Sequence, residues 1–301
     1  MDDQQFWQAI AEVIGEATAS PFAVNPVELS VRSVAGGSIN QSYRLSDGVR
    51  HFFVKLNRAE RLAMLRAELA GLRALAVCPQ LRLPLPITVG RLGGRAYLVM
   101  EWLDLTSQGD YLRLAQALVA LHRITSDRFG WHGDNTIGSS PQANRWHQNW
   151  SDFWREERLL PQLRQLTGSA LAQQGAQLLQ RLPQLLAGHQ PQPSLLHGDL
   201  WSGNVAFMAP ASDGAAVIFD PACYYGDREA DLAMSELFGG FPPQFYQAYQ
   251  QAWPLAPGYQ QRKRLYNLYH LLNHHLMFEE HGVSGGYGAQ SLQVMRQLLA
   301  A

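Results

Sequence analysis

The segment between His197 and Asp220 constrains this chain most. It reads His197-Gly198-Asp199-Leu200-Trp201-Ser202-Gly203-Asn204, continues through an apolar stretch and ends in Val217-Ile218-Phe219-Asp220. A loop aspartate, an asparagine five residues later and an aspartate that closes the next apolar strand are the side chains that surround the transferred phosphate in protein-kinase-like catalytic loops. The pattern therefore predicts a site for phosphoryl transfer.

Each of these three polar residues suits one task in that reaction. Asp199 would orient the hydroxyl of the acceptor and take its proton late in the reaction, since a carboxylate is a weak base for an alcohol. Asn204 and Asp220 offer hard oxygen ligands for a Mg²⁺ ion that bridges the phosphates of ATP. We therefore assign Asp199 as the catalytic base and Asn204 and Asp220 as metal ligands.

A second His-Gly-Asp triplet provides an internal control. His132-Gly133-Asp134 is followed by Ser139 at the position where an asparagine would be needed, and no strand that ends in aspartate comes after it. We interpret this triplet as an ordinary loop. At His197 the loop, the asparagine and the strand-terminal aspartate coincide, which favours a catalytic site over a chance turn.

Composition limits the class of protein. With 301 residues and 47% hydrophobic content, the chain can bury a large core as one two-lobed unit or two domains. Its net charge of -1 argues against a nucleic-acid partner, and two cysteines are too few for a disulfide framework. The N-terminus is unlike a secretory signal, and no uncharged apolar run reaches membrane-spanning length. We expect a cytoplasmic, soluble protein without membrane partners, and we favour a monomer.

Hydrophobic periodicity predicts an α+β fold with two lobes of the protein-kinase-like type. Residues 27–57 alternate as strands around a turn at Asp47-Gly48, residues 59–76 have helical spacing, and two more strands flank Gly93-Gly94. After Leu103 the pattern is mostly helical. We expect a β-rich lobe at residues 1–103 that covers ATP, and an α-rich lobe at residues 104–301 that carries catalysis and binds the substrate.

The β-rich part supplies candidates for gripping the ATP phosphates. Gly36, Gly37 and Ser38 fit a flexible turn over the phosphates, Lys55 fits the strand lysine, and Glu68 fits its partner on a helix. Each has a simpler explanation: an ordinary turn, a lysine that protects an edge strand, and an exposed helix charge. Their order along the chain relative to Asp199 favours the nucleotide site.

Two further groups would support the site. The backbone at Met100, Glu101 and Leu103, at the end of the last strand of the β-rich part, would contact adenine. Asp231, with His197, would support the catalytic loop from a following helix, although Asp231 also fits a solvated first helical turn.

Beyond this spacing, several stretches resemble the fructosamine kinase (ketosamine-3-kinase) family. The resemblance runs from about residue 20 to the C-terminus, and Asp199 to Asn204 is its most specific part. The stretches that carry it are Gly36-Gly37-Ser38-Ile39-Asn40, His197 to Asn204, Asp220-Pro221-Ala222-Cys223-Tyr224-Tyr225-Gly226-Asp227, Phe129-Gly130-Trp131, Pro141-Gln142-Ala143-Asn144-Arg145-Trp146 and Trp150-Ser151-Asp152-Phe153-Trp154. The family belongs to the aminoglycoside and choline phosphotransferase group.

This resemblance implies ATP-dependent phosphorylation of the 3-hydroxyl of a ketosamine, the rearranged adduct of a sugar and an amine. The phosphorylated product sheds its sugar, so the reaction removes glycation. The resemblance also implies that Trp201 contacts the sugar, although a core tryptophan is the alternative. Asp227 stands where many family members have a small or basic residue; it would favour a cationic amine on the substrate or have no role.

The rival interpretations differ in chemistry. Asp231 follows Asp220 by only eleven positions, which leaves no room for the segment on which protein kinases dock peptides, so a small-molecule pocket is favoured. Another small-molecule kinase of the same fold is the main alternative, and a catalytically dead binding module is the other. His270 and His274 have the spacing of zinc ligands, but without the glutamate of H-E-x-x-H a packed core helix is favoured.

Overall fold

The computed structural model of the protein describes residues 2–20, 22, 29–35, 39–209, 214–279, 282–283 and 285–300. The expected phosphate turn at Gly36, Gly37 and Ser38 lies outside these residues. Of the helices in the described part of the chain, none combines the length and apolar character that crossing a membrane requires.

A five-stranded antiparallel sheet forms the first part of the fold. Its strands are β1 Ser30–Val34, β2 Gln41–Ser46, β3 His51–Arg58, β4 Pro86–Leu92 and β5 Arg95–Glu101. The order across the sheet is β1-β2-β3-β5-β4. Gly48 turns the chain between β2 and β3, and Gly93 and Gly94 turn it between β4 and β5, all with positive φ, which glycine adopts without steric cost. The predicted sheet and both hairpins are confirmed.

Helices cover both faces of this sheet. They are α1 Asp3–Ala17 and α2 Leu62–Leu75. Side chains alternate across a strand, so Tyr97 and Val99 of β5 pack with α1, whereas Leu98 and Met100 pack with α2. Lys55 of β3 pairs in register with Leu98, which places its side chain on the face that α2 covers.

The rest of the chain is mostly helical, as predicted, around one large buried cluster. Its helices are α3 Tyr111–His122, α4 Trp150–Phe153, α5 Leu160–Leu163, α6 Ala170–Leu185, α7 Glu229–Leu237, α8 Pro243–Ala252, α9 Tyr259–Phe278 and α10 Tyr287–Ala300, with a π-helical turn at Trp154–Leu159. The α+β class with an N-terminal sheet is therefore confirmed. The division into lobes at residue 103 stays a prediction.

Short strands interrupt the helices, and one pair was not predicted. The strands are β6 Leu105–Thr106, β7 Asn135–Ile137, β8 Ser140–Gln142, β9 Ser194–Leu196, β10 Val205–Met208, β11 Ala216–Ile218 and β12 Tyr224–Gly226. The β7–β8 hairpin turns at Gly138, which has positive φ. Three-residue strands are too short to show a period of two, and tertiary hydrogen bonds from Asn135 and Gln142 to the backbone at Cys223 and Ala222 hold the hairpin in place.

Candidate active site

Two strand pairs bring the ends of the predicted motif together. Strand β9 pairs with β12 and leads into the loop from His197, which ends in a short 3-10 turn at Ser202–Asn204. Strand β10 then pairs with β11, and the Phe219 amide donates to the Asn204 carbonyl at 3.2 Å. Asp220, the next residue, has φ 57°, a left-handed conformation that turns the chain out of β11. The two expected metal ligands therefore lie side by side.

The Asn204 amide group orients the loop around Asp199. Its Nδ2 donates to the Asp199 carbonyl at 2.9 Å and to Asp199 Oδ2 at 3.2 Å. The amide oxygen of Asn204 is thus the atom left for a ligand. Burial and the nearby charge of Asp220 raise the pKa of Asp199 to about 7, which suits a proton acceptor that works near neutral pH.

Lys55 lies between two carboxylates. Its Nζ donates to Glu68 Oε1 at 2.6 Å and to Asp220 Oδ1, so it joins β3, α2 and the end of β11. Burial by itself would lower the pKa of Lys55, but attraction by Asp220 and Glu68 outweighs it and raises the pKa. Burial raises the pKa of Glu68 to about 7 against the opposing effect of Lys55. Glu68 is therefore not an exposed helix charge, and central β3 excludes an edge-strand role for Lys55.

Close packing fixes α2 against the segment after Asp220. A Cβ atom at Gly71 would lie 2.9 Å from Pro221 Cγ and 3.4 Å from Cys223 Sγ. The Cys223 thiol faces the Gly71 carbonyl at 3.7 Å. Because Glu68 lies one turn before Gly71 on α2, this contact sets the position from which Glu68 reaches Lys55.

Asp231 of α7 accepts hydrogen bonds from the backbone of the loop that begins at His197. Its Oδ2 accepts from the His197 amide at 2.8 Å, and its Oδ1 accepts from the Gly198 amide at 2.9 Å. Asp231 is buried, which excludes a solvated helical turn. Burial would raise the pKa of Asp231, but hydrogen bonds from His122 and from the Gly198 amide outweigh it and lower the pKa, which keeps the carboxylate charged.

His197 links the two halves of the motif. Its Nε2 lies 2.9 Å from the Phe219 carbonyl, and the Asp199 amide lies 3.3 Å from its Nδ1. The carbonyl requires a donor and the amide an acceptor, which fixes a neutral ring protonated on Nε2. Burial lowers the pKa of His197 in agreement with that state.

His122 is a supporting residue that the sequence did not reveal. Its Nε2 lies 3.1 Å from Asp231 Oδ2, and its Nδ1 lies 2.8 Å from the Tyr249 hydroxyl. A histidine in the last turn of the apolar helix α3 was the available signal. It is weak, because most such residues only pack in a core.

Trp201 is not a core residue. Its side chain is 38% exposed, and its ring meets the ring of Phe238 edge to face at 6.2 Å. The ring also covers Gly203, where a Cβ atom would overlap it. An exposed aromatic face two residues after Asp199 is available to an acceptor molecule.

Asp227 does not face a substrate. It is buried, and its carboxylate accepts from His189 Nε2 at 2.6 Å, the Tyr266 hydroxyl at 2.6 Å and the Glu229 amide at 3.0 Å. The expectation that Asp227 recognises a substrate amine is therefore wrong. The β9–β12 pair turns this residue toward the helical core, where its charge is neutralised by internal donors.

Two of the three residues expected to contact adenine are already engaged within the protein. The Glu101 amide donates to the Leu85 carbonyl at 2.9 Å, and the Glu101 side chain pairs with Arg82. Met100 is buried against α2. Among the described residues, none forms a hydrogen bond with the backbone of Leu103, which leaves this residue as the candidate for adenine.

Comparison with known proteins agrees with this geometry. The model of the family described as fructosamine kinase matches residues 6–301. The chain belongs to the fructosamine kinase family. A probable ketoamine kinase of Synechocystis is 48% identical over 97% of each chain, and a protein-ribulosamine 3-kinase of Arabidopsis thaliana is 40% identical over 89% of this chain and 82% of its own.

Solved structures give the same result for the fold of this family. A crystal structure from Haemophilus somnus, provisionally assigned as a fructosamine-3-kinase, has a TM-score of 0.87 with 30% identity, and the match covers 98% of each chain. The aminoglycoside phosphotransferase APH(4)-Ia has a TM-score of 0.61 with 16% identity. The protein-kinase-like fold of a phosphotransferase, as predicted, is therefore confirmed.

Proposed function

We propose that this protein transfers the γ-phosphoryl group of ATP to the 3-hydroxyl of a ketosamine. The observation that carries the proposal is the meeting of Asp199, Asn204 and Asp220 with the Lys55–Glu68 pair through direct hydrogen bonds. The exposed ring of Trp201 next to Asp199 supports a sugar as the acceptor, because an aromatic face suits the apolar side of a sugar ring. The names of the ketoamine and ribulosamine kinases that it resembles support the same substrate class.

The chemical step uses few protein groups. The acceptor oxygen forms a bond to the γ-phosphorus as the bond from that phosphorus to the β,γ-bridging oxygen breaks, and ADP leaves with the electron pair. The hydroxyl proton passes to Asp199, whose raised pKa lets it accept that proton near pH 7. Lys55, held by Glu68, would hold the ATP phosphates. His197 and Asp231 keep the loop in position.

The residues present suit Mg²⁺. The Asp220 side chain is 43% exposed, and the Asn204 amide is turned with its nitrogen on Asp199. Both would supply hard oxygen ligands, the type that Mg²⁺ prefers. We propose that Asn204 and Asp220 hold this ion, which when bound neutralises charge on the phosphates.

Acceptor turnover tests the proposal. The experiment measures ADP formation with Mg²⁺-ATP and a panel of fructosyl-, ribulosyl- and erythrulosyl-lysine, hygromycin B and choline, with the Asp199→Asn variant as the background. Turnover confined to the ketosamines is expected. Turnover of only hygromycin B or choline would keep the kinase assignment and overturn the substrate, and no turnover with any acceptor would revive the dead binding module.

A further inference from the structure

Helix α9 carries two buried polar atoms without partners within one helical turn. His270 and Asn273 are 4% and 1% exposed, yet no described residue forms a hydrogen bond with His270 Nδ1 or Asn273 Oδ1. Buried polar atoms in native proteins are nearly always paired. Asn267 Oδ1, one turn earlier on α9, also has no described partner, so it is the surroundings of His270 and Asn273, and not the missing bonds alone, that make these two residues candidates for binding a ligand. His274, one turn after His270, extends the same face.

Hydrogen bonds tie this part of α9 to the segment behind Asp220. The Tyr269 hydroxyl donates to Gln142 Oε1 at 2.8 Å, and Gln142 Nε2 donates to the Ala222 carbonyl at 3.1 Å. Burial raises the pKa of the Tyr269 hydroxyl, and the charge of Asp199 adds to this rise. The turn that begins at Tyr269 is therefore joined, through Gln142, to the segment that follows Asp220.

Aromatic contacts tie the same face to the other side of the catalytic loop. The His274 ring lies 4.9 Å from the ring of Phe238, which itself meets Trp201 at 6.2 Å. Phe238 is 38% exposed, as Trp201 is. A row of three contacting rings, those of Trp201, Phe238 and His274, thus connects the loop after His197 to α9.

The end of α9 approaches the segment that follows the expected phosphate turn. A Cβ atom at Gly138, in the β7–β8 turn, would lie 2.8 Å from Met277 Sδ and 3.3 Å from Ile39 Cδ1. Asn273 Nδ2 contacts the same Met277 sulfur at 3.8 Å. The face of α9 from His270 to Met277 therefore reaches the β7–β8 turn and Ile39, the residue that follows the expected phosphate turn.

The chemistry of this face is that of neutral hydrogen-bond acceptors. His274 Nδ1 lies 2.8 Å from the His270 carbonyl, so Nδ1 carries the proton and Nε2 has a free lone pair. Burial lowers the pKa of His270 to about 3 and also lowers the pKa of His274, so both rings are neutral at pH 7. Such acceptors match the donors of a ketosamine, which are hydroxyl groups and a protonated secondary amine.

We infer that His270, Asn273 and His274 form the acceptor-binding wall of the cleft, where their lone pairs accept hydrogen bonds from the hydroxyl and amine groups of the substrate. The inference rests on the proposed function. It gives a role to the His270-x-x-Asn273-His274 pattern that no zinc site explains.

Two variants test the wall, and a matched control separates its role from packing. Asn273→Leu and His270→Phe remove the lone pairs and keep most of the side-chain volume. Asn267→Leu is the control, because Asn267 lies earlier on α9 and also has a buried oxygen without a described partner. Steady-state kinetics with ribulosyl-lysine and ATP, together with melting temperatures, are measured for all three.

The expected result is a rise of at least tenfold in the KM for ribulosyl-lysine in both wall variants, with the KM for ATP within twofold of wild type. The control should keep both values. Removal of an unpaired buried polar atom is neutral or stabilising when it has no ligand. Unchanged KM for ribulosyl-lysine with an equal or higher melting temperature in folded wall variants would therefore overturn the inference.

The outcome distinguishes the wall from the proposed function. If wild type phosphorylates ribulosyl-lysine and the variants have normal KM, the wall inference fails and the function stands. If wild type instead phosphorylates hygromycin B or choline, the ketosamine substrate fails, and the wall stands only if the KM for that acceptor rises in the variants. If Asn273→Leu does not fold, His270→Phe gives the same test.

Discussion

The two His-Gly-Asp triplets have the same sequence but opposite surroundings. In the first triplet, His132-Gly133-Asp134, all three residues are exposed, and the one described donor to Asp134 Oδ1 is the Asn144 amide at 2.9 Å. In the second triplet, His197-Gly198-Asp199, which we propose to be the catalytic triplet, the histidine and the glycine are buried, and the two amides preceding Asp199 donate to Asp231. The comparison teaches that the tripeptide carries no chemistry by itself, and that helix α7, strand β11 and Asn204 turn it into a site.

The largest difference is expected when each aspartate is changed to asparagine. Asp199→Asn removes the proton acceptor and keeps the shape, so kcat should fall by about 10³-fold or more while ATP still binds. Asp134→Asn keeps an oxygen for the Asn144 amide and should leave kcat within twofold. Steady-state kinetics with ribulosyl-lysine measure both, and near-normal turnover of Asp199→Asn would remove Asp199 from its role.

The next largest difference is expected between alanine substitutions at Gly198 and at Gly133. Gly198 has φ 83°, and a Cβ atom there would overlap the Ala222 carbonyl, whereas nothing lies within 4 Å of a Cβ atom at Gly133. Gly198→Ala should lower the free energy of unfolding by about 3 kcal/mol or more and abolish most activity, because the clash is with backbone. Gly133→Ala should change the free energy of unfolding by less than about 1 kcal/mol. Urea denaturation measures both, and equal effects would show that the loop at Gly198 rearranges freely.

The histidines should show a smaller contrast. His197→Leu removes the bonds to the Phe219 carbonyl and the Asp199 amide, so we expect a 10- to 100-fold loss in kcat and a loss of about 1–3 kcal/mol in stability. His132 only stacks on Trp131 at 4.5 Å, so His132→Leu should be nearly neutral. Steady-state kinetics and thermal unfolding of both variants measure this contrast. A neutral His197→Leu would mean that Asp231 alone positions the loop.

The pH dependence of activity should follow Asp199. Its pKa of about 7 means that the base is protonated, and inactive, below that pH, so kcat/KM should fall toward tenfold per unit on the acid side. Asp134→Asn should give the same profile. The measurement is kcat/KM from pH 5 to 9 at saturating Mg²⁺-ATP. An acid limb near pH 4 would show that substrate or metal restores the ordinary acidity of Asp199.

The smallest expected effect is that of Asp199→Asn on the melting temperature. A carboxyl group whose pKa is raised in the folded state binds more protons folded than unfolded, so its contribution declines as pH rises from about 4 through about 7. Asp199→Asn removes that decline. Its melting temperature at pH 8 should therefore equal or exceed that of wild type. A lower melting temperature at pH 8 would indicate that the ionised Asp199 is stabilised by its surroundings.

Much of the site could be predicted because its residues are close in sequence. The spacing of Asp199, Asn204 and Asp220 predicted their meeting, since one hairpin joins them. Lys55 and Glu68 are distant from Asp199 in sequence, and they were assigned because they fit a strand lysine with a helix partner and because of their order relative to Asp199. Periodicity correctly gave the strand and the helix that carry them. Periodicity and motif spacing predict individual strands and helices and the contacts between elements that are close in sequence.

What could not be predicted depends on distant packing. Asp227 is adjacent to the motif, but its environment comes from His189 and Tyr266, which are far away in sequence. The β7–β8 hairpin is held by bonds from its polar side chains to the backbone near Ala222. The burial of Asn273 likewise depends on how α9 packs, and no period of the sequence reports it.

The central claim is that the catalytic triplet transfers phosphate to a ketosamine and the first triplet does not. Transfer of ³³P from γ-labelled ATP to ribulosyl-lysine and fructosyl-lysine tests it directly, with wild type, Asp199→Asn and Asp134→Asn in parallel. We predict labelled ketosamine phosphate with wild type and Asp134→Asn, and none with Asp199→Asn. Label in the ketosamine with Asp199→Asn, or label released only as inorganic phosphate from ATP by wild type, would contradict the account.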